Sequence, residues 1–327
     1  MKKILLFVCY STVVASTYAQ STAGITGKPD TSYSLYSAYL STLKTHPETK
    51  WVDELHTDAV AEKKNIVYCE MGARKLSLDV FYPTQKNKKT RTAILIIHGG
   101  GWRTGNRTQH YAMAQRLANL GYVCITPEYR LSTEALFPAA VNDIKTSLRW
   151  VRSRAKEYNI DPEKIAVLGF SAGGELAAFM GTTNGIAEFE GKDCTVKSSS
   201  NVQAVIDIDG ILAFIHPESG EGDDSKRISA ATNWFGYSKT DNPELWKKGS
   251  PLTYAGKNTP PTLFINSGVD RMHAGRTDYI KILDQHKIYS EVKQFEGSPH
   301  SFCLFEPWFS PTIKYIDDFL VKVFGKQ

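Results

Sequence analysis

The stretch Gly169-Phe170-Ser171-Ala172-Gly173 decides how this sequence is interpreted. It lies between an apolar run at 165–168, typical of a buried strand, and a stretch of helical character that begins at Glu175. A serine hydroxyl is a poor nucleophile unless a base removes its proton, and a sharp turn from strand to helix presents it to such a base. Because the flanking glycines leave room for that turn, the motif predicts that Ser171 is a nucleophile.

A second motif lies upstream, where an apolar run at 93–97 leads directly into His98-Gly99-Gly100-Gly101-Trp102. Glycines let the backbone approach a substrate closely, and N–H groups aimed at a carbonyl oxygen stabilise the negative charge that develops there. We therefore predict an oxyanion hole formed by the amides of Gly100, Gly101 and Ala172. His98 is interpreted as an organiser of this loop.

A serine nucleophile also needs a base, and the base needs an acidic partner. Following the order serine, acid, histidine, we predict Asp270, which follows a strand at 262–266, as the acid, and His300, which follows the last strand, as the base. Asp207 and Asp209 rival Asp270, because both lie at the end of the preceding predicted strand. Their position suits an alternative acid or a wall of the pocket.

The alternation of strands and helices predicts one α/β domain with a mostly parallel central sheet and helices on both faces. A chain of 327 residues is long enough to bury such a core. Strands are predicted at 76–82, 93–97, 123–125, 165–168, 202–208, 262–266 and 291–295, and helices at 33–43, 111–120, 138–158, from 175 through 180, and 312–324.

Residues 1–19 have the pattern of a cleavable export signal. Met1-Lys2-Lys3 is basic, the run at 4–14 is apolar, and Thr17-Tyr18-Ala19 suits cleavage before Gln20. The apolar run is too short and too interrupted for a membrane anchor. We expect a secreted or periplasmic protein with an N-terminal extension at 20–60 and a catalytic domain at 61–327.

Charge and cysteine content restrict the partners and the compartment. The formal net charge is +5, and loss of Lys2 and Lys3 with the signal lowers it to +3, which favours neither nucleic acid nor membrane as a partner. The exported chain keeps Cys69, Cys124, Cys194 and Cys303. Cys124 lies in an apolar run and is predicted to be a buried free thiol, whereas the state of the other three stays open.

Two polar excursions interrupt the α/β pattern, at 181–201 and at 216–257. The second contains an acidic run at 218–224 and an aromatic group formed by Trp234, Phe235, Tyr237 and Trp246. Functional lids and plain surface insertions share this composition, so both interpretations stay open.

From about residue 60 to 327, the chain resembles α/β-hydrolases of the esterase group that carries an HGGGW loop and a GFSAGG elbow. Glu128-Tyr129-Arg130-Leu131 and Phe137-Pro138-Ala139-Ala140 add to the resemblance. It implies hydrolysis of carboxylic esters without a metal or an organic cofactor, and many secreted members remove acetyl or feruloyl groups from plant cell-wall polysaccharides. The chain departs from the group at Glu175, where histidine or asparagine is frequent, and at Arg271-Met272-His273.

The resemblance leads us to expect an exported serine esterase that removes acetyl groups from pectin or xylan through an acyl-enzyme on Ser171. A feruloyl esterase is the nearest alternative. A serine peptidase would usually need a further propeller or cap domain, and a non-catalytic glycan-binding protein would not need the intact motifs. The partner is expected to be an acylated plant polysaccharide or oligosaccharide.

Several side chains are candidate substrate contacts. They are Trp102, Arg103, Asp209, Arg271, Trp234 and Trp308. Arg103 and Arg107 follow the glycine loop, and Arg271 and Arg276 follow the predicted acid. Guanidinium groups suit carboxylates, which favours a polymer that bears uronic acid. The alternative is that these arginines are solvated or pair with the acidic excursion, at Glu218, Asp223 and Asp224.

Overall fold

An eight-stranded sheet forms the centre of the computed structural model, which describes residues 20–85, 88–194 and 196–326. The predicted export signal at 1–19 lies outside the described residues. The strands are β1 (Val60–Met71), β2 (Arg74–Pro83), β3 (Arg91–Ile97), β4 (Val123–Pro127), β5 (Ile160–Phe170), β6 (Ala204–Ile208), β7 (Thr262–Asn266) and β8 (Ser290–Gln294). Their spatial order is β1-β2-β4-β3-β5-β6-β7-β8.

The sheet is antiparallel only at one edge. β1 pairs with β2, and β2 with β4, in antiparallel register, whereas every other neighbouring pair is parallel. β3, β4, β6 and β7 are buried along their whole length, which explains why they consist largely of apolar residues without alternation. The carboxyl ends of β3, β5, β6 and β7 therefore meet at one edge of the sheet.

Helices cover both faces, as the sequence predicts. They are α1 (Leu35–Leu43), α2 (Tyr111–Asn119), α3 (Ala139–Ser153), α4 (Ala172–Thr182), α5 (Ala230–Phe235), α6 (Pro243–Lys248), α7 (Arg276–Gln285) and α8 (Phe309–Phe324). One apolar core packs α3, α4 and α7 against the sheet, and a second packs α2 and α8 against its other face. None of the helices in the described ranges is both long and apolar enough to cross a membrane.

Both excursions are tied to the body of the protein. The aromatic group of the second excursion is mostly internal, because Trp234, Phe235 and Trp246 are fully buried and pack around Phe214. The first excursion is held by a disulfide between Cys194 and Cys69 of β1. Cys124 is a buried free thiol, as predicted, and so is Cys303.

The part of the N-terminal segment around α1 packs against the loops that follow β8, whereas residues 20–27 contact α5 and the loop at 133. α1 begins with a capping box at Ser34, and its Tyr39 ring contacts Phe305. The Thr42 and Ser301 hydroxyls are 2.6 Å apart, and Nε2 of His46 lies 3.0 Å from the carbonyl oxygen of Gly297. The segment thus braces the loop that carries His300.

Candidate active site

Ser171 lies on a sharp turn between β5 and α4. Its backbone has φ 57° and ψ −121°, a strained conformation for a residue with a side chain, and its N–H donates to the carbonyl of Ile208 at 2.8 Å. Small residues are required around it, because a Cβ on Gly169 would lie 1.8 Å from the carbonyl oxygen of Gly173. The turn presents the Ser171 hydroxyl at the carboxyl edge of the sheet.

A chain of hydrogen bonds joins the serine to a histidine and an aspartate. Nε2 of His300 lies 2.9 Å from Oγ of Ser171, and Nδ1 of His300 lies 2.9 Å from Oδ2 of Asp209. With the proton on Nδ1, His300 donates to Asp209 and accepts from the serine hydroxyl. The structure therefore brings Ser171 and His300 together, as the sequence predicts.

The acidic partner of His300 differs from the prediction, because Asp209 and not Asp270 contacts the imidazole. Asp209 follows β6 and is fully buried, whereas Asp270 is exposed and begins a 3₁₀ turn. The loop after β7 instead supports Asp209, since the N–H of Ser267 donates to Oδ1 at 2.8 Å. Asp209, which we expected as a rival acid or a pocket wall, is thus the acid of the hydrogen-bonded triad with Ser171 and His300.

A second histidine, His273, lies beside the same carboxylate. Its Nε2 is 3.7 Å from Oδ1 of Asp209, and the side chain is buried. Burial by itself raises the pKa of Asp209, but the imidazoles of His273 and His300 outweigh it and hold the pKa well below the ordinary value. Asp209 is consequently ionised and able to stabilise a positive charge on His300.

The glycine loop after β3 lies against the serine. Gly101 and Ala172 line the same small cavity as Ser171 and His300, and the amide of Gly99 is occupied, because it donates to Oε1 of Gln109. Gly100 has φ 120°, and a Cβ there would lie 2.2 Å from a neighbouring carbonyl oxygen, so only glycine fits. This placement leaves the predicted amides of Gly100, Gly101 and Ala172 as the candidate oxyanion donors.

His98 stabilises the glycine loop through contacts of its ring. Its ring stacks on Tyr129 with centroids 4.3 Å apart, and its Nδ1 lies 2.8 Å from the carbonyl oxygen of Gly99. Burial lowers the pKa of His98 to about 4, so the ring is neutral at pH 7. These contacts agree with the interpretation of His98 as a loop organiser.

Two further acids are buried behind the serine turn. Glu175 lies in the first turn of α4 and accepts a hydrogen bond of 2.9 Å from the indole N–H of Trp102. Asp207 accepts from the amide of Gly210 at 2.7 Å. Burial raises the pKa of both carboxyls well above ordinary values and so favours their neutral forms. Burial therefore outweighs the stabilisation that the positive end of α4 would give to an ionised Glu175.

The cavity at Ser171 has a volume of about 90 Å³. Its apolar wall is formed by Trp102, Ala230, Ile211 and Met272, and Trp102 is fixed by stacking on Trp234 with centroids 4.9 Å apart. A cavity of this size accommodates a small acyl group beside the nucleophile.

The other predicted substrate contacts lie in three different environments. Arg271 lines the cavity wall, and Arg103 lines an adjoining groove. Trp234 is fully buried beneath Trp102 and lines no cavity wall at the serine, so its predicted contact with substrate is wrong. Trp308 packs edge-on against the ring of His46, away from the cavity.

Two of the four arginines predicted near the site have structural partners. Arg107 pairs with Asp79 at 2.6 Å and with Glu128, and Arg276 donates to Oδ1 of Asn266 at 2.5 Å. Neither of them pairs with Glu218, Asp223 or Asp224, so the alternative interpretation does not hold for these two arginines. Arg271 does lie near the acidic excursion, 3.9 Å from Glu221.

Potential metal ligands come together at a separate place. Glu54, His56 and Glu62 have ligand atoms within 4.8 Å of one another, and none of them lines the cavity at Ser171. Glu62 also pairs with Lys64 at 2.8 Å. The expectation that the chemistry needs no metal or other cofactor stays a prediction.

A serine on a strand-to-helix turn, with its histidine and aspartate on later loops of the same sheet edge, defines the α/β-hydrolase class. Comparison with solved structures confirms this fold class. A truncated carbohydrate esterase from gut microbiota superposes with a TM-score of 0.67 at 24% identity, over 82% of this chain and 100% of that one. Propionate-bound esterase Est2 from Thermogutta terrifontis gives 0.66 at 25% identity, over 82% and 96%.

A family model described as BD-FAE matches residues 78–274, and the chain belongs to that family. Esterase LipQ of Mycobacterium tuberculosis is 26% identical over 283 residues, which is 83% of this chain and 65% of LipQ. Arylacetamide deacetylase of Bos taurus is 32% identical over 148 residues, 44% of this chain and 36% of that protein. The chain spans about half to two thirds of the length of LipQ, LipC and LipM.

Proposed function

We propose that this protein is a serine carboxylic-ester hydrolase that forms an acyl-enzyme on Ser171. The observation that carries the proposal is the continuous chain of 2.9 Å hydrogen bonds from Ser171 through His300 to Asp209. Its relatives carry the names of esterases and deacetylases, which supports the same chemistry.

In the first half-reaction, Oγ of Ser171 attacks the ester carbonyl carbon while Nε2 of His300 takes the hydroxyl proton. The carbonyl oxygen becomes an oxyanion, to which the amides of Gly100, Gly101 and Ala172 are the candidate donors. When the tetrahedral intermediate collapses, the bond to the alcohol oxygen breaks and His300 returns the proton to that oxygen. Water then attacks the acyl-enzyme by the same route and releases the acid.

Asp209 makes this proton transfer possible. Its buried carboxylate fixes the proton of His300 on Nδ1, which leaves Nε2 free to act as a base, and its negative charge stabilises the imidazolium that forms. Because the pKa of Asp209 is held well below the ordinary value, the carboxylate stays ionised throughout the neutral pH range. The buried acids Glu175 and Asp207 instead bind Trp102 and the amide of Gly210.

The acyl group is proposed to be acetyl, because the cavity of about 90 Å³ beside Ser171 suits a two-carbon acyl group better than a feruloyl group. The alcohol is proposed to be a plant cell-wall polysaccharide or oligosaccharide, in line with the printed name of one structural neighbour, a carbohydrate esterase. Export is part of this proposal, and the Cys69–Cys194 disulfide is compatible with an oxidising compartment.

The test uses the chain at 20–327 and 4-nitrophenyl acetate. Ser171→Ala and His300→Ala are each expected to lower kcat by about 10⁴-fold or more, because members of such a triad act as one unit. The fold of both variants is checked by circular dichroism. Folded variants that keep wild-type turnover would refute the proposed mechanism.

The substrate is tested by release of acetate and of ferulate from acetylated pectin, acetylated xylan and feruloylated arabinoxylan. We expect acetate release to exceed ferulate release in kcat/KM. Faster release of ferulate would instead assign the alternative, a feruloyl esterase.

A further inference from the structure

An open groove of about 610 Å³ adjoins the cavity at Ser171. The two share Gly101, Glu221, Ala230 and Arg271 as lining residues, so a substrate whose acyl group occupies the cavity extends directly into the groove. The groove continues into a further cavity of about 390 Å³, with which it shares Arg103, Ile228 and Asn233.

The groove contains most of the arginines that donate no hydrogen bond. Elsewhere in the chain, the guanidinium groups donate hydrogen bonds to carboxylates, amides or carbonyls; these are Arg74, Arg91, Arg107, Arg116, Arg130, Arg149, Arg152 and Arg276. Arg154 lies over the Trp150 ring and 3.7 Å from Glu157. Four arginines of the described residues donate no hydrogen bond; Arg154 is one of them, and the other three, Arg103, Arg227 and Arg271, line the groove.

Arg103 is the most informative of the three. Its Nη1 is buried and has no hydrogen-bond partner, although the carboxylate of Asp30 is close enough to interact with its positive charge. The N-terminal segment closes over it, since a Cβ on Gly24 would lie 3.2 Å from Nη1. A buried donor without an acceptor is unfavourable, and a ligand oxygen would relieve that cost.

Two acids, Glu221 and Asp223, line the groove together with the three arginines. Glu221 comes only to 3.9 Å of Arg271, and its other oxygen accepts from the amide of Ala231 at the start of α5. Asp223 accepts from the amide of Ser225. Three guanidinium groups against two carboxylates leave the lining of the groove with a net positive charge.

We propose that this groove is a subsite for a carboxylate of the substrate, so that the enzyme acts on acetylated glycans that contain uronic acid. Arg103 and Arg271 contact the carboxylate of a sugar next to the acetylated one, and Arg227 adds positive charge at the rim. The planar guanidinium fork matches a carboxylate, which makes this pairing stronger than a contact with a neutral hydroxyl. The inference rests on the proposed esterase function.

The first experiment compares kcat/KM on acetylated oligogalacturonides and on acetylated xylo-oligosaccharides. The ratio of acidic to neutral substrate is expected to fall about tenfold in Arg103→Gln and in Arg271→Gln, the usual loss for one charge-assisted contact. The matched control is Arg154→Gln, which removes the same charge from an exposed position and is expected to keep the wild-type ratio. A ratio that stays unchanged in both groove variants would overturn the subsite.

The second experiment measures binding without turnover, in the Ser171→Ala background. Calorimetry with unesterified trigalacturonate and with xylotriose is expected to show tighter binding of the acid, about tenfold, that weakens with added salt and in Arg227→Gln. Equal affinities would overturn the subsite even if the wild-type protein hydrolyses 4-nitrophenyl acetate. Conversely, selective binding without any hydrolysis would contradict the proposed function and leave the subsite standing.

Discussion

At the scale of single residues, the choice between two aspartates shows how burial decides a catalytic role. Asp209 is buried, accepts hydrogen bonds from His300 and from the amide of Ser267, and is ionised. Asp270 is exposed on the turn that brings His273 inward. A carboxylate can orient an imidazole only where water does not compete for both groups, and Asp209 meets that condition.

We predict that Asp209→Asn lowers kcat by about 10³–10⁴-fold, because an amide removes the charge and favours the wrong tautomer of His300. Asp270→Asn makes the same chemical change at a surface position and is expected to stay within about twofold of wild type. Initial rates with 4-nitrophenyl acetate at pH 7 compare the two. Strong loss in Asp270→Asn with an active Asp209→Asn would return the role to Asp270.

The sequence predicts that both aspartates lie at strand ends on the same edge of the sheet. It does not predict which of the two contacts His300. Which carboxylate reaches His300 depends on the path of the loop after β7, where Ser267 turns its N–H toward Asp209. Ser171, His300 and the glycine loop are easier to predict, because each belongs to a motif whose local geometry is set by adjacent residues. Trp234 has no such motif, and its burial depends on the packing of distant rings.

At the scale of elements, the support of the oxyanion loop depends on a short 3₁₀ turn, Arg107–His110, that precedes α2. Gln109 of this turn accepts from the amide of Gly99. His110 is buried with its ring edge-on to Phe170 of the serine turn, and neither of its ring nitrogens has a partner among the described residues. The 3₁₀ turn therefore contacts both the glycine loop, through Gly99, and the serine turn, through Phe170.

Burial, and to a lesser extent the neighbouring His98, lower the pKa of His110 to about 3. Between this value and the unfolded pKa of about 6.5, the unfolded chain binds a proton that the folded chain does not, so the free energy of unfolding decreases as the pH falls. The free energy of unfolding of the wild type is expected to fall between pH 7 and pH 5, and we predict that His110→Phe makes this fall smaller by about 2 kcal/mol.

Urea unfolding at the two pH values measures this slope. The exposed His56, with 74% of its side chain accessible, provides the control, because His56→Gln is expected to keep the wild-type slope. A His110→Phe variant that loses stability toward acid as steeply as wild type would show that the ring does not resist protonation in the folded protein.

Most elements that position the site can be predicted from periodicity, since the buried parallel strands are continuous apolar runs. α7 is not among the predicted helices. Only Tyr279 and Leu283 of this helix are fully buried, which is too few to give a clear period. The short helices α5 and α6 lie in a segment that the composition marks as irregular, and they are stabilised by aromatic packing rather than by helix propensity.

At the scale of the whole molecule, the fold class can be predicted from the order of strands and helices. The contacts between segments that are distant in the sequence cannot. The second excursion contains aromatic residues that suit either a lid or an insertion, and the structure packs Trp246 and Phe235 into the core. The disulfide partners are separated by 125 residues, and nothing in the sequence relates them. Such contacts depend on tertiary geometry alone.

The Cys69–Cys194 disulfide closes one of these long connections, between edge strand β1 and the first excursion. A crosslink that restricts a long loop in the unfolded chain stabilises the folded state by about 3–5 kcal/mol. We predict that the double variant Cys69→Ser, Cys194→Ser has a Tm lower by at least several degrees, measured by calorimetry. Because neither cysteine lines the cavity at Ser171, kcat/KM at 25 °C is expected to equal that of wild type.

Reductant provides the control for this prediction. Dithiothreitol is expected to lower the Tm of wild type to that of the double variant and to leave the variant unchanged, because Cys124 and Cys303 are already thiols. If oxidised and reduced wild type unfold at the same temperature, the crosslink does not stabilise the fold. If Tm and kcat/KM fall together, the excursion supports the site and is more than an attached surface segment.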